Sequence, residues 1–371
     1  IRYAEKSLQL RKSLGDLWGQ GQTLVFHGVS LYAASRFSEC IEKCREAVRL
    51  LERMGDYWQV HIARYQIAAS LCHLGRRREA VKEARLNHSS GIALGDEQAS
   101  GIILDVWARA SGGVPEDILM TELERERTDY QAIVQVLLAR GLCLYGSGKL
   151  DEAASILEQA VAVSNATGVR NAYTLPVPTW LATVRRKQAE TVSDFMAIRR
   201  GRMLKQAERA ARSAVRSTWL CKNDQPQALR EYALVSAMQG KIRKSRRLFA
   251  KSLEVARRQQ ARYEAAQTLA AMARVGREVA WRDAAAHALE AQAMLAEIET
   301  ATEERLPPET ASLSLADRFD TVLDSGRKIA SALTPTAIHE AARLAALRLL
   351  RGEKCLVLHV EGGVEASFVP V

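Results

Sequence analysis

Cys40 and Cys44 stand four positions apart in the stretch "SECIEKC", and the pair Cys72–His73 lies further along. Residues at i and i+4 share one helix face, so these side chains could supply thiolate and imidazole ligands to a tetrahedral metal. Packing is the competing reading. A free cysteine behaves as a small hydrophobe, and a parallel stretch places Ala153 and Leu157 where Cys40 and Cys44 stand. Packing accounts for them better, and no metal ligand is expected. His27, His61, His88, His287, His339 and His359 show neither an HExxH pair nor another ligand spacing. They fit surface or satisfied core positions.

Nothing else in the chain is built for catalysis. There is no Walker A loop, GxGxxG turn, GxSxG elbow or kinase HRD/DFG set. "WGQGQ" at 18–22 has two glycines but sits at a helix start with no strand before it. No catalytic residue and no cofactor is therefore expected within these 371 residues.

Charge is the one strong asymmetry. Between Arg185 and Arg262, 21 Lys and Arg face six Asp and Glu, whereas the whole chain carries +10. The rest is therefore net acidic. Arg199, Arg200, Arg202 and Lys205, with Arg243, Lys244, Arg246 and Arg247, form a candidate basic partner face. Such a face is either a solvated outer surface, its arginine stems covering apolar helix, or a groove for an acidic peptide, an acidic neighbouring domain or nucleic acid. The basic residues do not recur at one repeat position and stacking aromatics are few, which weighs against nucleic acid. A nucleic-acid-binding repeat protein stays as the alternative function.

The elements that must carry these residues are helices in a repeat. "LARGLCLYGSGKLDEAASILEQAVAVSNATG", "IAASLCHLGRRREAVKEARLNHSSGIALGD" and "VFHGVSLYAASRFSECIEKCREAVRLLERMGD" align, and "EYALVSAMQGKIRKSRRLFAKSLEVARRQQAR" is a more distant copy. Gly75, Gly148 and Gly240 fall at one turn position, and Ala80, Ala153 and Ser245 follow five later. Asp16, Asp56 and Asp96 repeat every 40 residues, as do Trp18 and Trp58. Each unit reads as two amphipathic helices joined by a tight turn, with glycine supplying the positive φ that ends the first helix. Small residues such as Gly28, Ala68 and Gly141 let the second helix approach. One hairpin cannot cover its own apolar face, so successive hairpins must stack. Six or seven fit between residues 3 and 299. The tryptophans are expected to pack between repeats, and the two prolines of "YTLPVPTW" (173–180) to break or delay the first helix of the fifth unit.

These hairpins resemble tetratricopeptide repeats. Gly141, Gly148, Ala153, Leu157 and Ala160 stand where that family places its glycine, turn and packing residues. The resemblance implies an all-α, right-handed superhelical α-solenoid, with Gly28, Gly75, Ala80, Gly141, Gly148, Ala153, Ala160 and Gly240 as repeat-packing positions. The 40-residue period exceeds the roughly 34 of that family, so the helices should be longer.

Residues 226–274 resemble the last repeats of large bacterial signalling ATPases. In that family an ATPase module, often behind a serine/threonine kinase domain, precedes a helical array, and a sensor or output domain follows. After Pro307–Pro308, which cannot continue a helix, the segment ending in "KCLVLHVEGG" resembles a connector helix entering a GAF domain. Its first strand would be Cys355–Val360, followed by a turn at Gly362 and Gly363. An ordinary hairpin closing the solenoid is the alternative. The expected division is thus 1–299 repeat array, 300–314 linker, and 315–371 connector and start of a short α/β fragment. The ending, broken off within strands, reads as a piece of a longer polypeptide.

Composition agrees with a helical, cytoplasmic chain: 47% apolar and 26% charged residues, eight prolines, and six scattered cysteines best read as reduced thiols. No apolar run approaches the roughly 20 residues that span a bilayer. The expected role is a non-enzymatic scaffold binding a protein partner, or other domains of its own polypeptide, and relaying the state to a C-terminal domain.

Overall fold

The computed structural model describes residues 1–192, 196–300, 315–331, 334–349, 355, 358–361 and 367–370. Their order is α1 (Arg2–Ser13), α2 (Leu17–Ala33), α3 (Phe37–Met54), α4 (Tyr57–His73), α5 (Arg77–Leu94), α6 (Glu97–Ile102), α7 (Leu104–Ser111), α8 (Glu116–Glu124), α9 (Tyr130–Gly146) and α10 (Leu150–Thr167). There follow α11 (Pro176–Thr191), α12 (Ala197–Ser217), α13 (Gln225–Met238), α14 (Ile242–Arg258), α15 (Arg262–Glu278), α16 (Ala284–Thr300), α17 (Leu315–Ser331) and α18 (Pro335–Leu349). Two strands close the described chain, β1 (Leu358–Glu361) and β2 (Ser367–Pro370).

Helices α2 to α16 form antiparallel hairpins in which each pair packs on the next. The unit boundaries are set by side chains. Asp16, Asp56 and Asp96 are N-caps, accepting from the backbone N–H of Gly19, Gln59 and Ala99 at 2.8, 3.2 and 3.0 Å. Each satisfies a donor the helix start would otherwise leave open. Within the hairpins, Gly75, Gly148 and Gly240 adopt φ of +84°, +79° and +71°. The residue after each donates back to the preceding helix at 2.9 Å, which closes the turn.

First and second helices of a unit are buried differently. α3 buries six of its 18 residues at three- and four-residue spacing, as an amphipathic outer helix does. α4 buries twelve of 17 and is enclosed on nearly every side. The first helices therefore form an inner layer and the second helices an outer one. Close approach between layers relies on missing side chains: a Cβ at Gly28 would lie 2.2 Å from Cys44 Sγ, and one at Gly141 would lie 2.7 Å from the Leu157 side chain. Ala80, Ala153 and Ala160 are fully buried against the inner helices.

The array closes on itself. Gly75, at the α4–α5 turn, sits 3.1 Å (measured from its would-be Cβ) from Tyr263 of α15. Ser35, between α2 and α3, donates to Asn223 Oδ1 at 2.7 Å. Gln259 Nε2 reaches both Ser35 Oγ (3.3 Å) and the Lys222 carbonyl (2.7 Å). The first two hairpins thus touch the region from α12 to α15, one superhelical turn later.

Some expectations change. Pro176 and Pro178 lie in the first turn of α11, where a missing N–H costs nothing, so they start the helix rather than break it. The third unit is irregular instead: its first helix is divided into α6 and α7, and α8 is only nine residues long. Trp18 and Trp58 are about half exposed and Trp219 is 81% exposed, so these do not pack between repeats as expected. Trp18 still links units, since its Nε1 donates to the next N-cap, Asp56, at 2.8 Å.

Residues 301–314, most of the expected linker, lie outside the described residues, as do Gly362 and Gly363. α17 packs on α18. β1 holds Leu358–Val360 of the expected strand and pairs antiparallel with β2, Val360 opposite Phe368; residues 356 and 357 lie outside the described residues. No helix among the described residues is long and apolar enough to cross a membrane.

Candidate ligand cavity inside the helical array

Charged residues on enclosed inner helices are the anomaly that locates the site. Arg109 on α7, Arg186 on α11, and Arg230 and Glu231 on α13 are charged side chains buried within inner helices. A buried charge is tolerated only when paired, and these are paired between neighbouring inner helices. Arg186 binds Glu231, and Glu190 at 2.7 Å; Arg230 binds Glu264 of α15 at 2.5 Å. Arg109 binds Asp105 one turn back at 3.0 Å and lies 3.9 Å from Asp224, which precedes α13.

Arg109, Arg186, Asp224, Arg230, Glu231 and Glu264 line one side of a cavity of about 490 Å³ on the inner wall of the closed array. Arg77, Tyr145, Trp180, Lys187, Tyr263 and Arg274 add to its polar and aromatic lining, and Leu142, Leu234, Ala270 and Ala271 to its apolar part. Its size falls within the roughly 300–1,000 Å³ typical of small-ligand sites. Seven helices from α4 to α15 contribute to it, so it exists only because the array has closed.

Behind the cavity the centre of the superhelix is filled. Tyr65 donates to Asp105 at 3.3 Å and accepts from Gln135 Nε2 at 2.9 Å. Gln66 Nε2 donates to the Tyr173 hydroxyl at 2.8 Å, and Tyr173 stacks on Tyr32 at 6.1 Å. Burial pushes Asp105 and Asp224 up to about 6 despite the opposing field of Arg109. Burial, aided by the same Arg109, drives His73 down to about 3, so its ring is neutral. His73 stacks on Phe37 at 4.6 Å and lines the cavity.

The residues singled out from sequence lie elsewhere. Arg199, Arg200, Arg202 and Lys205 are on α12, and Arg243, Lys244, Arg246 and Arg247 on α14, both outer helices. Arg199, Arg202, Lys205, Arg243 and Arg247 are exposed. Arg246 pairs with Asp283 at 2.9 Å, and Lys244 lies 4.0 Å from the centre of the Tyr232 ring. Cys40 and Cys44 are fully buried in α3, Cys44 filling the space Gly28 leaves. His61 is a satisfied core residue between Asp96 and Ser90, each at 2.8 Å. His27 is buried with no hydrogen-bond partner for Nδ1, contrary to the expectation of a surface or satisfied core position, and His73 Nε2 also has none. Sequence reading missed the cavity. Its signal was present in "VWARAS", "TVRRKQAE" and "QALREY", where charges interrupt inner helices.

No protein-family model and no curated protein sequence matches the chain. Solved structures do resemble it. A Rap protein complexed with Competence and Sporulation Factor superposes with a TM-score of 0.58 at 14% identity, covering 78% of this chain and 76% of that one. NprR in complex with its cognate peptide NprX superposes with a TM-score of 0.51 at 14% identity, covering 85% and 93%. The chain therefore has the fold of a TPR-like α-solenoid.

Proposed function

We propose that this chain is the recognition segment of a larger signalling protein, and that its inner cavity holds a peptide segment of a protein partner. The observation that carries this reading is the closure of the array around a cavity lined by paired charges and aromatic side chains. An open solenoid would offer only a shallow face; here convergent polar groups meet apolar walls, the usual composition of a binding site. The two similar structures named above were solved in complex with Competence and Sporulation Factor and with a cognate peptide, which supports the same use of the fold.

The mechanism is population shift. A ligand favouring one curvature biases the array by its differential affinity for that state. The contacts between the first two hairpins and α12–α15 are what such a ligand would strengthen or open. The resemblance to signalling ATPases, with α17, α18 and the β1–β2 pair following the array, supports a relay to a GAF-like or other output domain, with ATPase or kinase chemistry supplied elsewhere in the polypeptide.

Selection of a random decapeptide display library on the chain tests the reading, with Gln267→Trp as the comparison because Gln267 lines the cavity. Peptides enriched on the parent and lost on the filled variant support it. Binders retained equally by both, or no binders, overturn it.

A further inference from the structure

The polar atoms that the cavity leaves unpartnered share one chemistry. Trp180 Nε1, Arg109 Nε and His73 Nε2 are buried without a hydrogen bond, and all three residues line the cavity. The first two can only donate. The lining carboxylates, by contrast, all face a cation: Glu231 faces Arg186, Glu264 faces Arg230, and Asp224 faces Arg109.

Cations are in excess. Arg186, already paired with Glu231, shares Glu190 with Lys187 and Arg274, at 2.7, 3.1 and 3.3 Å. Arg77 has no carboxylate within ion-pair distance among the described residues. Its guanidinium donates to the Ala110 carbonyl (2.6 Å) and the Tyr263 hydroxyl (3.0 Å) and lies 4.9 Å from the Tyr263 ring centre. A half-buried guanidinium held by neutral acceptors keeps its positive field, and its planar fork suits a carboxylate.

Resting on the peptide-binding reading above, we propose that the occupant is an acidic peptide, an Asp or Glu side chain of which pairs with Arg77. Its backbone carbonyls supply acceptors for the unpartnered donors. The cavity, and not the exposed basic residues of α12 and α14, is then the selective element.

The peptides enriched by the library selection supply the probes. Each is synthesised with a fluorescein label in two forms, one with its acidic residue and one with the matching amide, and titrated against the full chain by anisotropy. The amide form should bind about 10- to 100-fold more weakly, the range of a charge-assisted hydrogen bond. Arg77→Gln should weaken the acidic form by a similar factor and leave the amide form unchanged, while Arg77→Lys restores part of the loss. Far-ultraviolet circular dichroism and melting of each variant exclude unfolding as the cause. Equal binding of both forms, equal weakening of both by Arg77→Gln, or enriched peptides without an acidic residue would overturn the acidic class. If Gln267→Trp still abolishes binding in those cases, the cavity remains the peptide site. Binding untouched by Gln267→Trp, or no enriched peptide, ends both readings.

Discussion

Ser35 and Asn223, 188 positions apart, share a buried hydrogen bond of 2.7 Å in which the serine hydroxyl donates to the amide oxygen. Ser35 occupies the turn position that Gly75, Gly148 and Gly240 fill in other units, and it does so at a φ of +60°. A non-glycine residue there carries a steric cost of roughly 1–2 kcal/mol. Its side chain joins the two ends of a superhelical turn, accepting also from Gln259, and these bonds offset that cost.

Ser35→Ala should therefore retain the backbone cost and lose the bonds, destabilising the chain by about 1–3 kcal/mol. Ser35→Gly should be the milder change, because it removes the steric cost. Denaturant melts give the order. Equal stability of Ser35→Ala and the parent would mean that this contact does not hold the array closed.

Gly28 and Cys44 offer a test of layer spacing. Alanine favours a helix over glycine by about 1 kcal/mol, yet the added Cβ would lie 2.2 Å from Cys44 Sγ. Overpacking of this kind costs about 1–3 kcal/mol. Gly28→Ala should lower the melting temperature, and Gly28→Ala with Cys44→Ala should recover part of it. Gain of stability in the single variant would show that α2 and α3 have room to separate.

Arg186 and Glu231 are both almost fully buried, with side-chain exposures of 6% and 4%. Arg186→Met leaves Glu231 charged and unpaired, a loss of about 3–5 kcal/mol. Glu231→Leu should cost less, because Arg186 keeps Glu190. The double variant should be more stable than Arg186→Met alone. Strict additivity of the two losses would argue that the pair does not interact.

The buried titrating groups oppose one another. Asp105 and Asp224, held up at about 6, keep protons that the unfolded chain has released from about pH 4 upward. Their contribution to stability is present below about pH 4 and is lost as the pH rises to about 6. His73, held down at about 3, acts in reverse, since the unfolded chain takes up a proton below about 6.5. Lowering the pH from 6.5 to 4.5 should therefore stabilise His73→Gln relative to the parent and destabilise Asp105→Asn relative to it. Melting curves of both variants that track the parent across this interval would contradict the assignment.

What was legible in the chain was of short range. Asp16, Asp56 and Asp96 mark helix starts and Gly75, Gly148 and Gly240 mark turns, because caps and positive-φ sites are settled by a few neighbouring residues. The apolar spacing of α3 and the small residues Gly28 and Ala153 followed from the same local periodicity. Whether the prolines at 176 and 178 break or delay a helix could not be read locally, because a first-turn proline and a helix-breaking one look alike until the helix start is known.

The sequence alone thus determined a stack of helix hairpins, with the 40-residue spacing holding for the helix starts at Leu17, Tyr57 and Glu97 and not for the later units. Only the tertiary structure decided that the stack closes, since closure depends on small rotations accumulated over several units. That closure set Ser35 against Asn223 and Gly75 against Tyr263, and it enclosed Arg77, Arg109, Arg186 and Arg230 around one cavity. No local pattern encodes a contact between residues nearly two hundred positions apart, so the basic residues of α12 and α14 drew notice while the inner arginines did not.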